Sequence, residues 1–317
     1  MLIYNPTAGK LKRNDQLILH RTIAALEASG FRATPVPTTG PRAATSLART
    51  VVDRGADLVI ALGGDGTINE VANGLVGSSV PLAILPGGTA NCLGIETGMG
   101  TDPVRAAARL RDCVPRRIAL GKLISTAGER YFLSMAGVGL DAHIVSEVNP
   151  KIKRAVGKLA YWVAGMKRTM QPLEEFRVRV DGIDQSCGFV LASRLRNYGG
   201  DLSIATGASL LSNRFETLLF TGSNPLRYIA YMLAVVVRQH KRLPGVTTRP
   251  ARSVEFLPLT SQVVYVQADG ELAGTLPARI EIVDDALTLL TPPGLAEREA
   301  RYLVVDELAR HAALSHP

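Results

Sequence analysis

Across the first 120 residues, short and largely apolar runs alternate with amphipathic stretches. The runs are Leu2–Tyr4, Ala33–Pro37, Asp57–Leu62 and Leu82–Leu85. A strand apolar on both faces must be covered on both faces, and intervening helices supply the cover. The pattern therefore predicts a doubly wound parallel sheet. Asn14 reads as the N-cap of a first helix ending at Gly30, and Pro41 suits the first turn of a second running to Gly55. Further helices are expected over Thr67–Val76 and Val104–Leu110.

Near residue 120 the pattern changes. Tyr131–Leu133, Phe176–Val180, Phe189–Leu191, Val263–Val266 and Ile280–Val283 read as strands, several alternating apolar with polar, with the turn dipeptides Asp181-Gly182 and Asp269-Gly270 beside them. This half predicts an antiparallel β-sandwich with helical insertions near 150–170 and 225–240. Thr291-Pro292-Pro293-Gly294 then leads into a terminal helix, Ala296–His311. The expected organisation is an α/β nucleotide-binding domain over 1–120, a β-sandwich domain over 121–290, and a C-terminal helix over 291–317 packing back on the first domain.

Composition narrows the function classes. The net charge of +8 favours anionic partners, among them nucleotides, nucleic acid or an acidic membrane surface. Cys92, Cys113 and Cys187 form no C-x-x-C pair and leave one over in any disulfide scheme, which points to a reducing cytosol and against a zinc ribbon. The five histidines are scattered, so no histidine metal site is expected. Leu2-Ile3-Tyr4 directly follows Met1, and the longest apolar run, Tyr228–Val237, is about half a bilayer span. The expectation is a cytoplasmic protein with no membrane span.

The densest chemical signal is Gly63-Gly64-Asp65-Gly66-Thr67-Ile68-Asn69-Glu70, directly after a buried strand and opening a helix. Glycines let backbone N–H groups approach an anion, and a helix N-terminus favours negative charge. An aspartate in that turn repels phosphate unless a cation lies between them, so Asp65 reads as a Mg²⁺-linked position. Asn5-Pro6-Thr7-Ala8-Gly9-Lys10 leaves the first strand, and Pro86-Gly87-Gly88-Thr89-Ala90-Asn91 the fourth. In a doubly wound sheet these loops converge on one rim, where ligands bind. A nucleotide triphosphate site follows.

Asn5-Pro6-Thr7-Ala8-Gly9, Gly63-Gly64-Asp65-Gly66-Thr67 with Asn69-Glu70, Leu85-Pro86-Gly87-Gly88-Thr89 and the late Asp269-Gly270-Glu271 together resemble the diacylglycerol kinase catalytic-domain family, which also holds sphingosine and ceramide kinases. The resemblance runs to about residue 290. It implies an ATP- and Mg²⁺-dependent lipid kinase with a nucleotide domain and a β-sandwich lipid domain joined across a cleft. By resemblance Asn5, Pro6, Thr7, Ala8, Gly9, Thr38, Gly64, Asp65, Gly66, Thr67, Ile68, Asn69, Glu70 and Thr89 contact ATP, and Glu271 is the general base. Read from the residues alone, a carboxylate at such a tight turn is more often a solvated turn residue than a base.

The sequence also departs from the family. Cys92 and Ala119 stand where bacterial diacylglycerol kinases carry acids of a Mg²⁺–water network, and Ser212-Asn213 replaces the Asp-Gly of a structural Mg²⁺ loop in Ala208–Phe215. Gly137-Val138-Gly139-Leu140-Asp141-Ala142 mimics a dinucleotide fingerprint, but no acid occurs between Val148 and Leu173 to hold a ribose. Gly9-Lys10 lacks the flanking residues of a P-loop. Lys151–Arg168 sets six cations around Tyr161 and Trp162, which suits an anionic membrane surface or a solvated face better than nucleic acid. Tyr228–Val237 reads as a buried helix, or as the wall of an acyl-chain cavity.

The reading is transfer of the γ-phosphate of ATP to the hydroxyl of a diacylglycerol-like lipid by a cytoplasmic, peripherally membrane-associated enzyme. A second copy of the chain is carried as a candidate partner. A sphingoid-type lipid alcohol is the alternative acceptor. The rival enzyme is an NAD kinase, which lacks a Leu-Pro-Gly-Gly-Thr loop. The rival from another class is a non-catalytic lipid- or nucleotide-binding protein, which Cys92, Ala119 and Ser212 would favour.

Overall fold

The computed structural model describes residues 1–147, 173–200 and 202–303. The chain divides into two compact units, Met1–Leu120 with Val283–Arg298, and Gly121–Ile282 with the chain from Glu299 on.

The first unit is built on parallel strands β1 (Leu2–Tyr4), β2 (Pro35–Pro37), β3 (Val59–Gly63) and β4 (Leu82–Pro86), in the order β2-β1-β3-β4. Leu2 pairs with both Pro35 and Ile60, and Val59 with Leu82. Strands β3 and β4 are buried throughout, as apolar runs without alternation require. The helices are α1 (Leu11–Ala28), α2 (Ala43–Asp53), α3 (Asp65–Leu75), α4 (Cys92–Thr97) and α5 (Pro103–Arg109). Helix α1 packs with α5, and α2 with α3. Right-handed crossovers leaving β1 one way and returning the other put those pairs on opposite faces of the sheet.

Several helix ends differ from the expected ones. Helix α1 starts at Leu11, because loop 5–10 is already wound: Ala8 N donates to Asn5 O at 3.1 Å, and Lys12 N to Ala8 O at 2.9 Å. Asn14 therefore lies inside the helix and is not its cap. Helix α2 starts at Ala43, after Arg42 in the left-handed region. Helix α3 starts at Asp65, two residues before the expected Thr67, so the second half of the glycine motif is helical. Helix α4 stands where no helix was expected.

The second unit is antiparallel. Strands β5 (Val114–Ser125) and β6 (Gly128–Phe132) form a hairpin, followed by β7 (Met135–Gly139) and α6 (Leu140–Glu147). Then come β8 (Phe176–Val180), β9 (Ile183–Cys187), β10 (Phe189–Ser193), and the short pair β11 (Asn197–Tyr198) and β12 (Leu202–Ser203). After β13 (Phe215–Phe220) and helix α7 (Pro225–Val236) the chain makes β14 (Val246–Ala251), β15 (Ser253–Pro258), β16 (Tyr265–Ala268), β17 (Glu271–Thr275) and β18 (Ala278–Thr291).

One layer runs β14-β13-β10-β7-β16-β17, and the other contains β18, β15, β8 and β9. Phe132 stacks on Phe215 with ring centroids 5.6 Å apart, tying the β5–β6 hairpin to the first layer. Helix α7 packs Tyr228, Tyr231 and Val235 against Phe189, Leu191 and Phe220.

The first half of β18 pairs with β15 in the second unit, and Leu289 in its second half pairs in parallel with Leu82 of β4 in the first. The chain thus returns to the first unit at Val283, earlier than the expected boundary at 290. Residues 295–303 are helical, beginning one residue before the expected Ala296–His311. Arg298 donates to Glu96 O in the first unit, whereas Glu299 accepts from the Leu210 and Leu211 N–H groups in the second. The expected basic segment Lys151–Arg168 lies outside the described residues.

Candidate active site

In the first unit β1 lies between β2 and β3, and the connections leave it in opposite directions. Carboxyl ends of strands at such a switch point form the binding crevice of doubly wound sheets. Asn5, first residue beyond β1, bridges it. Its N–H donates to Leu62 O at 3.0 Å, and its Nδ2 to Thr67 Oγ1 on α3 at 3.1 Å. Its Oδ1 accepts from both Thr7 N and Thr7 Oγ1 at 2.9 Å. The loop after β4 closes on the same place: Gly87 N donates to Gly63 O at 2.7 Å, and Lys10 N to Gly87 O at 3.0 Å.

Glycine is required where these loops meet. A Cβ on Gly88 would sit 2.5 Å from Gly64 Cα, so backbone touches backbone there. Asn91, at φ 51, fixes that loop by accepting from Gly88 N at 2.8 Å and donating to Gly88 O at 3.0 Å. A Cβ on Gly9 would stand 3.0 Å from Thr89 Oγ1. Thr7, Gly9 and Thr89 are exposed along this rim.

Asp65 is the first residue of α3, and its Oδ1 accepts from Leu93 N on α4 at 3.2 Å. Burial pushes its carboxyl above the usual aspartate value, opposed by the N–H groups of Leu93 and Cys92. A nucleotide suits this rim, because close-set glycine backbone and the N-terminus of α3 favour phosphate. Mg²⁺ suits it as well. That ion keeps several waters and takes one or two carboxylates plus phosphate oxygens, and Asp65 is a carboxylate on this rim that could serve as such a ligand. Among the described residues no group of three His, Cys, Asp or Glu gathers to hold a metal by protein alone.

The other sequence candidates spread around that rim. Gly64 and Gly66 are half-buried at the start of α3, Pro6 is half-buried and Ala8 is buried behind loop 5–10. Thr38 extends β2, its N–H donating to Tyr4 O at 2.8 Å. Ile68 is fully buried, and Asn69, also buried, accepts from Asn73 Nδ2. Glu70 turns to α2, accepting from Arg42 N at 3.0 Å and Ala44 N at 3.2 Å, which caps that helix. The structure therefore gathers Asn5, Thr7, Gly9, Gly64, Asp65, Thr67 and Thr89, and gives the side chains of Ile68, Asn69 and Glu70 work inside the unit.

In the second unit Glu271 opens β17 at the tight turn after Asp269, which sits at φ 50. Its carboxylate is exposed and pairs with Arg130 Nη2 at 3.1 Å. The β5–β6 turn brings Arg130 there, because Ser125 Oγ donates to Ala273 O at 2.6 Å and Thr275 N to Thr126 Oγ1 at 2.9 Å. Asp269 clamps the turn: its carboxylate accepts from Leu133 N and Ser134 N at 2.8 Å and Met135 N at 3.0 Å. Burial nevertheless pushes that carboxyl up to about 6, the N–H groups and Arg130 opposing.

Gln267 Oε1 accepts from Gly270 N at 2.8 Å, while its Nε2 donates to Asp141, which also accepts from the Tyr198 hydroxyl. Asp141 is buried, and burial holds its carboxyl above the usual range. This explains the false dinucleotide signal. A Cβ on Gly137 would strike Asp141 Oδ2 at 2.1 Å, and Gly139 adopts φ +86, so both glycines serve the interior.

Residues 1–123 match the diacylglycerol kinase catalytic domain, and residues 134–291 match the YegS C-terminal NAD kinase beta sandwich-like domain. Through its first 123 residues the chain belongs to the diacylglycerol kinase catalytic-domain family. It is a lipid kinase. Diacylglycerol kinases of Staphylococcus epidermidis and Bacillus subtilis are each 28% identical to it over 306 residues, 94% of this chain and 93% and 97% of theirs. Two solved structures from Bacillus anthracis share its fold, with TM-scores of 0.78 and 0.73 at 21% and 22% identity. Each covers 93% of this chain, at 95% and 97% of its own length, and the second is named a diacylglycerol kinase.

The departures of this lipid kinase now have surroundings. Cys92 opens α4 beside Asp65, and Ala119 is buried in β5. The loop around Ser212-Asn213 is held by side chains of the protein itself. Arg194 Nη2 donates to Leu210 O at 2.6 Å and its Nη1 to Ser212 O at 3.0 Å, while Glu299 accepts from Leu210 N and Leu211 N. Arg130, Gln267 and Asp141 were missed by sequence reasoning. Only Asp141 carried a signal, as part of a dinucleotide-like motif that the sequence itself argued against.

Proposed function

We propose that this lipid kinase transfers the γ-phosphoryl group of ATP to the free hydroxyl of a diacylglycerol-like lipid. The observation that carries the reading is the meeting of three glycine loops at the switch point beside Asp65. The names of the diacylglycerol kinase relatives support the acceptor. Bound Mg²⁺ supplies neutralisation of phosphate charge. Asn5, Thr7 and Thr89 position the nucleotide, and Asp65 is the carboxylate toward the metal.

Glu271 accepts the proton of the acceptor hydroxyl as the new O–P bond forms and the β,γ-bridging O–P bond breaks, giving ADP and the lipid phosphate. Its pairing with Arg130 orients the carboxylate before the acceptor arrives. Labelled ATP supplied with a panel of diacylglycerol, sphingoid base, ceramide and NAD tests the reading. Phosphate appearing on diacylglycerol is the expected result. Phosphate on NAD or on nothing would overturn it.

A further inference from the structure

Helix α7 is apolar on both sides, and such helices are ordinarily enclosed. Here only one side is. Tyr228 and Tyr231 face the core, and their hydroxyls donate to Phe220 O and Pro244 O, each at 3.0 Å, which fixes the roll of the helix. The opposite side carries Leu226, Ala230, Leu233 and Val237 at spacings of four, three and four, one continuous stripe. Leu226 is 74% exposed, Leu233 65% and Val237 64%, with Val236 beside them at 52%. Large side chains this exposed and this contiguous mark an interaction surface.

The charge around the stripe selects the partner. From Thr217 to Val254 the chain contains no Asp or Glu, but it carries Arg227, Arg238, Lys241, Arg242, Arg249 and Arg252. Lys241 is engaged by Glu216 at 2.8 Å. Arg227 and Arg238 are exposed at the two ends of the stripe, and Arg242 follows in the next turn. Two copies meeting through this face would set those cations against each other, since a two-fold contact pairs a patch with itself. An anionic bilayer satisfies both features, taking apolar side chains below its headgroups while its surface charge attracts arginines at the rim.

We infer that the outward face of α7 docks this enzyme on an anionic membrane surface, lying in the headgroup plane. The choice of a lipid surface rests on the lipid-kinase reading, but the binding itself is measured without turnover. It adds to the expected Lys151–Arg168, which lies outside the described residues, a second membrane contact on a helix expected to be enclosed.

Co-sedimentation with vesicles of phosphatidylcholine alone, or with 30% phosphatidylglycerol, tests it on the full chain. The wild type should pellet with the anionic vesicles and be released as salt rises. Leu233→Glu with Val237→Glu should weaken that binding by about tenfold or more, and Arg227→Ala with Arg238→Ala by a smaller, salt-dependent factor. Neither pair should change the melting temperature or the turnover of a short-chain acceptor dispersed in detergent, because the altered side chains are exposed. Vesicle binding unchanged in the Glu pair would overturn the inference. So would a wild-type dimer that the Glu pair dissociates without any change in lipid binding. Loss of kinase activity toward all lipids with vesicle binding intact would instead overturn the proposed reaction.

Discussion

At the scale of single residues, the two carboxylates that matter are held in opposite ways. Glu271 is exposed and pairs, among the described residues, with Arg130, whereas Asp269 two positions earlier is spent on three backbone N–H groups. Glu271→Gln keeps the shape and removes the proton acceptor. Lipid phosphorylation should fall about 10²–10⁴-fold with nucleotide affinity unchanged, read by single-turnover kinetics beside calorimetric titration. A parallel fall in both would place the base elsewhere. Asp269 also ties stability to pH. Its carboxyl rises from 3.8 to about 6 on folding, so between those values the folded chain keeps a proton that the unfolded chain has released. Stability from this group is therefore full at low pH and declines as pH rises through that window, by on the order of 2 kcal/mol. Asp65 and Asp141 shift the same way, so the informative quantity is a difference. Urea unfolding at pH 4.5 and 6.5 should show a smaller pH effect in Asp269→Asn than in the wild type.

At the scale of elements, the rim of the first unit depends on strand ends approaching closer than any side chain permits. Gly88→Ala would drive a methyl group to 2.5 Å from Gly64 Cα, and that contact is backbone, which cannot swing aside. The loops after β3 and β4 would have to part, and Gly87 N would leave Gly63 O. Nucleotide affinity should drop at least about tenfold while the second unit keeps its structure, which amide exchange over residues 121–282 would report. Gly77→Ala makes the control for a merely strained glycine: it sits at φ +78 with open space around its Cβ and lies after α3, away from the rim. That variant should cost about 1 kcal/mol of stability and leave nucleotide affinity alone.

For the whole molecule, a ligand held by one unit should stabilise that unit first. At a hundred times its dissociation constant, a non-hydrolysable ATP analogue with Mg²⁺ should add about 2.7 kcal/mol to the state that binds it. Exchange protection should therefore rise over residues 1–120 and 283–298, the two stretches of the first unit, although 162 residues separate them in the chain. Asp65→Asn should remove most of the part that depends on Mg²⁺ if, as proposed, its carboxylate is the protein's own contribution to the ion. Protection that rises equally in the variant would take Asp65 out of the metal's surroundings.

The sequence by itself determined the parallel core, the three glycine loops and both candidate carboxylates. Those features are local: an apolar run declares its own burial, and a glycine cluster after it declares a turn that must pass close to something. What lay further apart was decided only by tertiary structure. Arg130 reaches Glu271 across 141 positions, and no periodicity links them. Glu70 looked like part of the phosphate loop until α2 arrived with N–H groups to cap. Asp141 looked like the tail of a fingerprint until Tyr198 and Gln267 closed on it. The face of α7 was hidden from the sequence for a different reason. Both sides of that helix are apolar, so hydropathy alone cannot say which one the sheet covers, and packing against Phe189 and Phe220 made the choice.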